Sequence, residues 1–278
     1  MALNDIGIDL GTTSIIIAME GKGVVLNQPS IVAVDTRQNK VLAVGDDALA
    51  MVGRTPSYIS AISPLKDGVI SDHMLTRELI CRFIRKVNAS RIKPRVAVCV
   101  PAAITGIESD AVVEAVIAAG ARQVYLIDEP LAAALGSDID ITAPEGHMIV
   151  DFHGEMEIKG RSLITGLPQR LTITTDDLYE PVCMLVEQIG TAAHQVLEKT
   201  PPELAGDIYS QGIMLTGGGA QLKGLPEYMS KALKVKTRVS PDPVNCVALG
   251  TSKSLSMETR LETGFVDATP HLSHFGRR

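Results

Sequence analysis

Ile6-Gly7-Ile8-Asp9-Leu10-Gly11-Thr12-Thr13-Ser14-Ile15-Ile16-Ile17 is the stretch on which the reading of this chain turns. Ile6–Leu10 is short and apolar, Gly11-Thr12-Thr13 is a turn, and Ser14–Met19 is β-branched, so the segment reads as strand, tight turn, strand. A turn of small residues gathers backbone N–H groups and hydroxyls in one concavity, which suits phosphate oxygens. Asp9, at the strand end, is placed to hold a hydrated magnesium ion, because Mg2+ keeps its waters and takes few carboxylates. Taken alone, the same segment also reads as an ordinary β-hairpin with an Asp-stabilised turn.

Residues 24–26, 31–34 and 41–44 read as further short strands, making the opening a β-meander. The period changes over 72–88, where Leu75, Leu79, Phe83 and Val87 share a helical stripe with Ile80 and Ile84 beside it. Residues 95–100 read as a buried strand. Thr105 with Glu108 matches a capping box, which predicts a helix from there to about residue 119, stopped at Gly120. A strand over 124–127, a small-residue helix over 130–135 and a strand over 147–151 follow. Residues 152–175 suggest two short strands around Thr165-Gly166-Leu167-Pro168. An amphipathic helix is predicted over 174–199, with Pro181 read as tolerable in its first turns. Then come a strand over 212–216, a helix over 222–233, a strand over 235–239 and a helix over 247–261. From Gly264 the chain reads as a loose tail. Strands and helices alternate after residue 72, which predicts an α/β protein.

Three more segments carry polar groups at strand ends. Leu215-Thr216-Gly217-Gly218-Gly219-Ala220 follows a strand and precedes a predicted helix, so a ligand can approach the backbone closely and the helix start favours negative charge. No Gly-Lys-Ser/Thr follows, so it is not a Walker A loop. Asp128-Glu129-Pro130 could orient a water for attack on a γ-phosphate, or simply serve the start of a helix. Asp151 ends another strand, with the same two readings.

Bulk properties narrow the classes. The chain has 278 residues, a formal net charge of -6, no Trp, 4 Phe and 5 Tyr. An acidic chain poor in aromatic residues is not expected to bind nucleic acid. Cys81, Cys99, Cys183 and Cys246 are widely spaced and read as buried thiols rather than a disulfide frame or zinc site. No signal peptide or membrane-spanning run is expected, which predicts a cytoplasmic protein. His271 and His274 have ligand-like spacing but read as part of a solvated tail.

In their order, the strand-end segments resemble the superfamily of actin, heat-shock-chaperone and sugar-kinase ATPases. The segments Gly23-Val24-Val25-Leu26-Asn27-Gln28-Pro29-Ser30, Val44-Gly45-Asp46-Asp47-Ala48, Gly53-Arg54-Thr55-Pro56, Pro64-Leu65-Lys66-Asp67-Gly68-Val69-Ile70 and Pro201-Pro202-Glu203-Leu204-Ala205 resemble the MreB family of bacterial actins. The resemblance covers nearly the whole chain to about residue 255. It implies an actin-like fold of two α/β lobes around a nucleotide cleft, with ATP and Mg2+ as cofactors. Gly11, Thr12, Thr13 and Ser14 would form the first phosphate loop, Glu129 would position the attacking water, Gly217, Gly218 and Gly219 would lie against the nucleotide, and Asp9 and Asp151 would face the metal.

The resemblance breaks after Asp151. The family continues there into a glycine- and threonine-rich second phosphate loop. This chain reads Phe152-His153-Gly154-Glu155 and resumes the family text at Met156-Glu157-Ile158-Lys159-Gly160-Arg161. Several tens of residues are therefore missing, and lobe II should be truncated. The expected layout is lobe I over 1–140, with a small subdomain inserted at about 28–72; lobe II over 141–262, its last helix returning to lobe I; and a flexible tail over 263–278. The implied function is an ATP-binding cytoskeletal protein. It would self-associate or co-polymerise with relatives and work with the cell-wall elongation machinery at the inner face of the cell membrane. In the loop Asn88-Ala89-Ser90-Arg91-Ile92-Lys93, Ile92 is the only apolar candidate for membrane contact. The alternative is a degenerate regulator or truncated gene product with weak or no nucleotide binding and no hydrolysis. The chaperone and kinase branches would need a peptide-binding domain or substrate loops, and neither is expected here.

Overall fold

The computed structural model describes residues 5–54, 56–66, 69–88, 92–101, 104–151, 175–261 and 263–270. The readings placed on 152–174, including Phe152, His153 and the resumption at Met156, and on His271 and His274 lie outside the described residues. The chain divides into two compact units, Met1–Ala143 with Val244–Arg278, and Pro144–Pro243.

In chain order the first unit holds β1 (Ile6–Leu10), β2 (Ser14–Met19), β3 (Gly23–Pro29), β4 (Val32–Asp35), β5 (Lys40–Val44), the short α1 (Asp46–Leu49), β6 (Ile59–Ile62), β7 (Leu65–Lys66), β8 (Val69–Ile70), α2 (His73–Val87), β9 (Arg95–Val100), α3 (Gly106–Ala118), β10 (Gln123–Asp128) and α4 (Glu129–Gly136). The second holds β11 (Met148–Asp151), α5 (Thr175–Lys199), α6 (Pro202–Gln211), β12 (Ile213–Thr216), α7 (Leu225–Leu233) and β13 (Thr237–Val239). The chain then re-enters the first unit with α8 (Cys246–Ser254) and β14 (Phe265–Asp267).

The six-stranded sheet of the first unit has the order β14-β10-β9-β1-β2-β3. The meander β1–β2–β3 is antiparallel, and β9 and β10 run parallel to β1. Ile6 and Ile8 of β1, Ile15 and Ile17 of β2 and Val96 and Val98 of β9 are at most 1% exposed. Burying each such aliphatic side chain stabilises the fold by about 1.5–3 kcal/mol. Helix α2 covers this core with Leu79, Ile80, Phe83 and Ile84. Its Asp72 cap accepts a hydrogen bond from the Leu75 N–H at 2.9 Å, and Arg85 and Lys86 sit in its last turn, where the helix dipole favours cations. The capping box at α3 forms as the sequence predicts, with Thr105 and Glu108 bonded in both directions. Between β3 and α2, β5-β4-β6 make a small separate sheet and β7 pairs with β8.

Helix α8 packs on the sheet and on α4 at distances only glycine permits. A Cβ on Gly136 would collide with the Cys246 carbonyl, one on Gly250 with the Ala132 carbonyl, and one on Gly7 with the backbone of Ser252. Lys253 of α8 donates to Asp138 Oδ1 at 2.6 Å and to the Leu135 carbonyl at 3.1 Å. At the opposite end of β9, Arg95 pairs with Asp5 and Glu258 and donates to the Leu255 carbonyl. The Tyr125 hydroxyl donates to Glu258 at 2.9 Å. Burial, then the Glu258 contact, pushes the Tyr125 phenol up to about 12.

The second unit has a parallel sheet in the order β11-β12-β13. Ile213 and Leu215 of β12 and Met229 of α7 are fully buried, and Ala193 of α5 joins them. Along α5, Tyr179, Met184, Leu185 and Val196 are more than half exposed.

Several expectations change. The predicted helix over 247–261 ends at Ser254, and a separate 3-10 turn spans Glu258–Arg260. The stretch read as a tail contains β14, which pairs antiparallel with β10 and stacks Phe265 on Tyr125 with ring centroids 5.1 Å apart. Alternation over three residues is too short to signal a strand, so only the partner strand reveals it. Helix α6 was not predicted, although Pro202 at its first position and Gly212 after its last are both signals for it. Pro181 is the seventh residue of α5, beyond the four N–H groups that lack intrahelical partners, so it removes one helical hydrogen bond.

Gly250→Ala should lower the unfolding free energy by about 1–3 kcal/mol, read as a lower denaturant midpoint at unchanged m, because α8 must move away from α4. The Tyr125 phenol also sets an alkaline limit. Its folded value lies above its ordinary value of 10, so the stabilisation is complete below pH 10 and is lost as pH rises toward 12. Urea unfolding at pH 9 and pH 11.5 should show a smaller alkaline loss for Tyr125→Phe than for the unaltered chain.

Candidate phosphate and metal site

In the first unit the candidate residues share one edge. β1, β9 and β10 are parallel, with Asp9 opposite Cys99 and Cys99 opposite Ile127. Asp9 and the start of Asp128-Glu129 therefore leave the same, C-terminal edge of the sheet, two strand spacings or roughly 10 Å apart. In open α/β sheets that edge is where ligands bind. Asp9 and Glu129 are both half-buried.

The turn Gly11–Ser14 is held from outside. Ser30, 2% exposed, donates its hydroxyl to the Gly11 carbonyl at 2.6 Å and its N–H to the Thr13 carbonyl at 2.8 Å. Ser63 adds a hydroxyl directed at the Thr12 carbonyl at 3.5 Å, so the turn is fastened from two sides. A Cβ on Gly11 would stand 2.6 Å from the Ser14 carbonyl, so the turn closes only around glycine. Sequence reasoning missed Ser30 as part of this site. It lies one strand away, and its signal, Pro29-Ser30 ending β3, has meaning only once β3 pairs with β2.

Asp128 is the cap residue of α4 and makes no side-chain cap bond, while Glu129 stands in the first turn, where the helix dipole favours negative charge. The Asp128 N–H donates to the Gly264 carbonyl at 2.8 Å. Glu129 begins α4, followed by Pro130 and the buried Ala132, Ala133 and Ala134, which pack the helix rather than take part in chemistry.

In the second unit β11 and β12 are parallel, and Asp151 stands opposite Thr216. Gly217 has φ 78 and ψ 165, a conformation essentially restricted to glycine. Its N–H is taken by the Pro243 carbonyl at 2.8 Å. Gly218 is exposed, and a Cβ there would meet nothing within 4 Å, so this backbone is open to a ligand. The expected helix start is displaced. Gly218–Gln221 is a 3-10 turn, and α7 begins only at Leu225 after the left-handed Gly224. The glycines therefore offer close approach, without the dipole of a long helix at their end.

The donor set suits a phosphate chain with a hydrated cation: small-residue backbone for the phosphates and single carboxylates rather than a cage for the metal. Among the described residues no group of three or more His, Cys, Asp or Glu is arranged to hold a metal ion. Gly11, Thr12, Thr13, Ser14, Asp9 and Glu129 come together on one unit, and Asp151, Gly217, Gly218 and Gly219 on the other. Among the described residues no helix is long and apolar enough to cross a membrane.

A meander leading into parallel strands, with acidic residues at their C-terminal ends and a helix returning from the far end of the chain, defines an actin-like protein. Known structures agree. The structure of MreB5 of Spiroplasma citri bound to ADP superposes with a TM-score of 0.81 at 27% identity, covering 93% of this chain and 98% of that one. The same protein bound to AMPPNP gives 0.77 at 26% identity, covering 92% and 98%. The MamK double helical filament, at 18% identity and TM-score 0.71, covering 90% and 98%, supports the fold alone. The family profile described as MreB/Mbl protein matches residues 3–155 and 152–263. The cell shape-determining protein Mbl of Bacillus subtilis is 37% identical over 327 aligned positions, covering 94% of this chain and 98% of Mbl. The cell shape-determining protein MreB of Escherichia coli is 34% identical over 330, covering 92% and 94%. The chain belongs to the MreB/Mbl family of actin-like, cell shape-determining proteins. Both alignments are longer than the chain's 278 residues, and the profile match divides at 152–155, so the chain lacks an internal stretch beyond Asp151 that its relatives carry.

Gly217→Ala should cost about 1–3 kcal/mol of stability, since alanine at this φ and ψ is strained. Thermal melts of the purified variant would measure it, and Gly218→Ala, in open space, should be close to neutral.

Proposed function

We propose that this chain is an ATP-binding cytoskeletal protein that self-associates, or joins filaments of its relatives, and helps direct cell-wall synthesis and rod cell shape. The observation that carries the reading is the shared sheet edge of the first unit, where the glycine-closed turn after Asp9 and the carboxylate of Glu129 follow parallel strands that flank β9. Relatives crystallised with ADP and AMPPNP support it.

Gly11, Thr12, Thr13 and Ser14 would cradle the phosphates, with Gly217, Gly218 and Gly219 against the nucleotide. Asp9 and Asp151 would hold the hydrated Mg2+, which when bound neutralises phosphate charge. Glu129 would orient the attacking water. Phosphoryl transfer depends on positioning and charge stabilisation, so the stretch missing beyond Asp151 weakens hydrolysis far more than binding. That absence favours a second reading, a non-hydrolysing regulator that keeps the family surface. The layout we propose is two lobes, the second truncated. The protein would be cytoplasmic, working with the cell-wall elongation machinery at the inner face of the membrane. Ile92, 60% exposed and followed by Lys93, offers a peripheral contact.

Magnesium-dependent ATP binding by the full chain should fall at least tenfold in Asp9→Ala, measured by calorimetry, and electron microscopy with ATP and Mg2+ should show filaments, alone or with a full-length relative. Equal binding by wild type and Asp9→Ala, or no filaments in either mixture, would defeat the proposal. ATP turnover abolished by Glu129→Ala would instead defeat the non-hydrolysing reading.

A further inference from the structure

Thr216, the last residue of β12, is fully buried, and its Oγ1 has no hydrogen-bond partner. A buried hydroxyl left in this state destabilises the fold, and valine would fill nearly the same volume without that penalty. Among the described residues, Thr237 of the adjacent β13 shows the contrast. Thr237 Oγ1 donates to the Pro226 carbonyl at 2.6 Å and lies 3.0 Å from the Ser230 hydroxyl. Thr216 stands at the end of β12, one residue before the glycine run.

The residue in register with Thr216 on β11 is Asp151. Paired residues on neighbouring parallel strands project to the same face of the sheet. Asp151 is half-buried, with its Oδ1 buried. The open backbone at Gly218 lies on the same strand end.

We propose that Thr216 is a positioning residue for a hydrated divalent cation, its hydroxyl oxygen accepting a hydrogen bond from a cation-bound water that Asp151 also holds. A magnesium ion keeps its waters, and each bound water has two protons to place. A carboxylate can take one, and a neighbouring hydroxyl can take the other. This rests on the nucleotide-binding reading above, but its readouts separate from it.

The test uses the full chain with Thr216→Val and Thr216→Ser. Three quantities are measured: the thermal midpoint without ligand, Mn2+ binding without nucleotide by electron paramagnetic resonance, and ATP binding with Mg2+ or with EDTA. Thr216→Val should raise the ligand-free midpoint by about 2–4 °C. It should weaken Mn2+ binding and magnesium-dependent ATP binding about tenfold and leave ATP binding in EDTA unchanged, and Thr216→Ser should restore the wild-type values. A valine variant with a lowered midpoint, or with cation binding equal to wild type, overturns the proposal. Cation binding lost in the valine variant of a chain that takes no ATP would sustain it while defeating the nucleotide reading. A wild-type chain that binds neither Mn2+ nor ATP overturns both.

Discussion

The first unit is organised by a backbone-to-backbone contact. Helix α8, arriving from the far end of the chain, lies against Gly136 of α4 and Gly7 of β1, and presents its own Gly250 to Ala132. No side chain separates these elements. Such contact leaves almost no room for adjustment, because protein interiors are packed like organic crystals and a single methyl group is felt. α8 thereby fixes the position of α4 relative to β1, and with it the position of Glu129 relative to Asp9. The polar cluster of Asp5, Arg95, Glu258 and Tyr125 fastens the segment after α8 to the opposite end of the same strands. The candidate site is thus built at one edge of a sheet whose other edge is pinned.

Charge at that edge follows from strand direction. Parallel strands bring their C-terminal ends to one side, so Asp9, Asp128 and Glu129 gather there although more than a hundred residues separate the first from the last. Backbone geometry then decides which groups can meet a ligand. Gly217 gives up its N–H to Pro243 and shapes the chain, whereas Gly218 stays open. Ser30 performs a similar service for the first turn from a different strand.

The missing stretch beyond Asp151 bears on packing as well as chemistry. The stretch falls in the connection between β11 and α5, at residues 152–155. Among the described residues the second unit keeps three strands against six in the main sheet of the first. Tyr179, Leu185 and Val196 of α5 remain exposed although the same helix buries Ala193. Exposed strand edges and apolar helix faces are sites where chains associate.

Local pattern by itself determined much of this protein. The apolar stretch Ile6–Leu10, the β-branched run Ser14–Met19, the stripe of α2, the capping box of α3 and the buried run of β9 are each readable because their physics is short-range: a local composition, a side-chain period, a cap, a turn of glycine. The order of the motifs was enough to identify the family, and the jump from Asp151 to Met156 was enough to find the gap. Tertiary structure decided the rest. β14 exists because β10 offers an edge, and three residues carry no period of their own. The Pro181 position, the delayed start of α7 and the role of Ser30 depend on where hydrogen bonds close, which composition does not encode. Thr216 is the sharpest case. In sequence it is one polar residue in a strand end, and only complete burial without a partner, beside Asp151, turns it into a group that awaits a ligand.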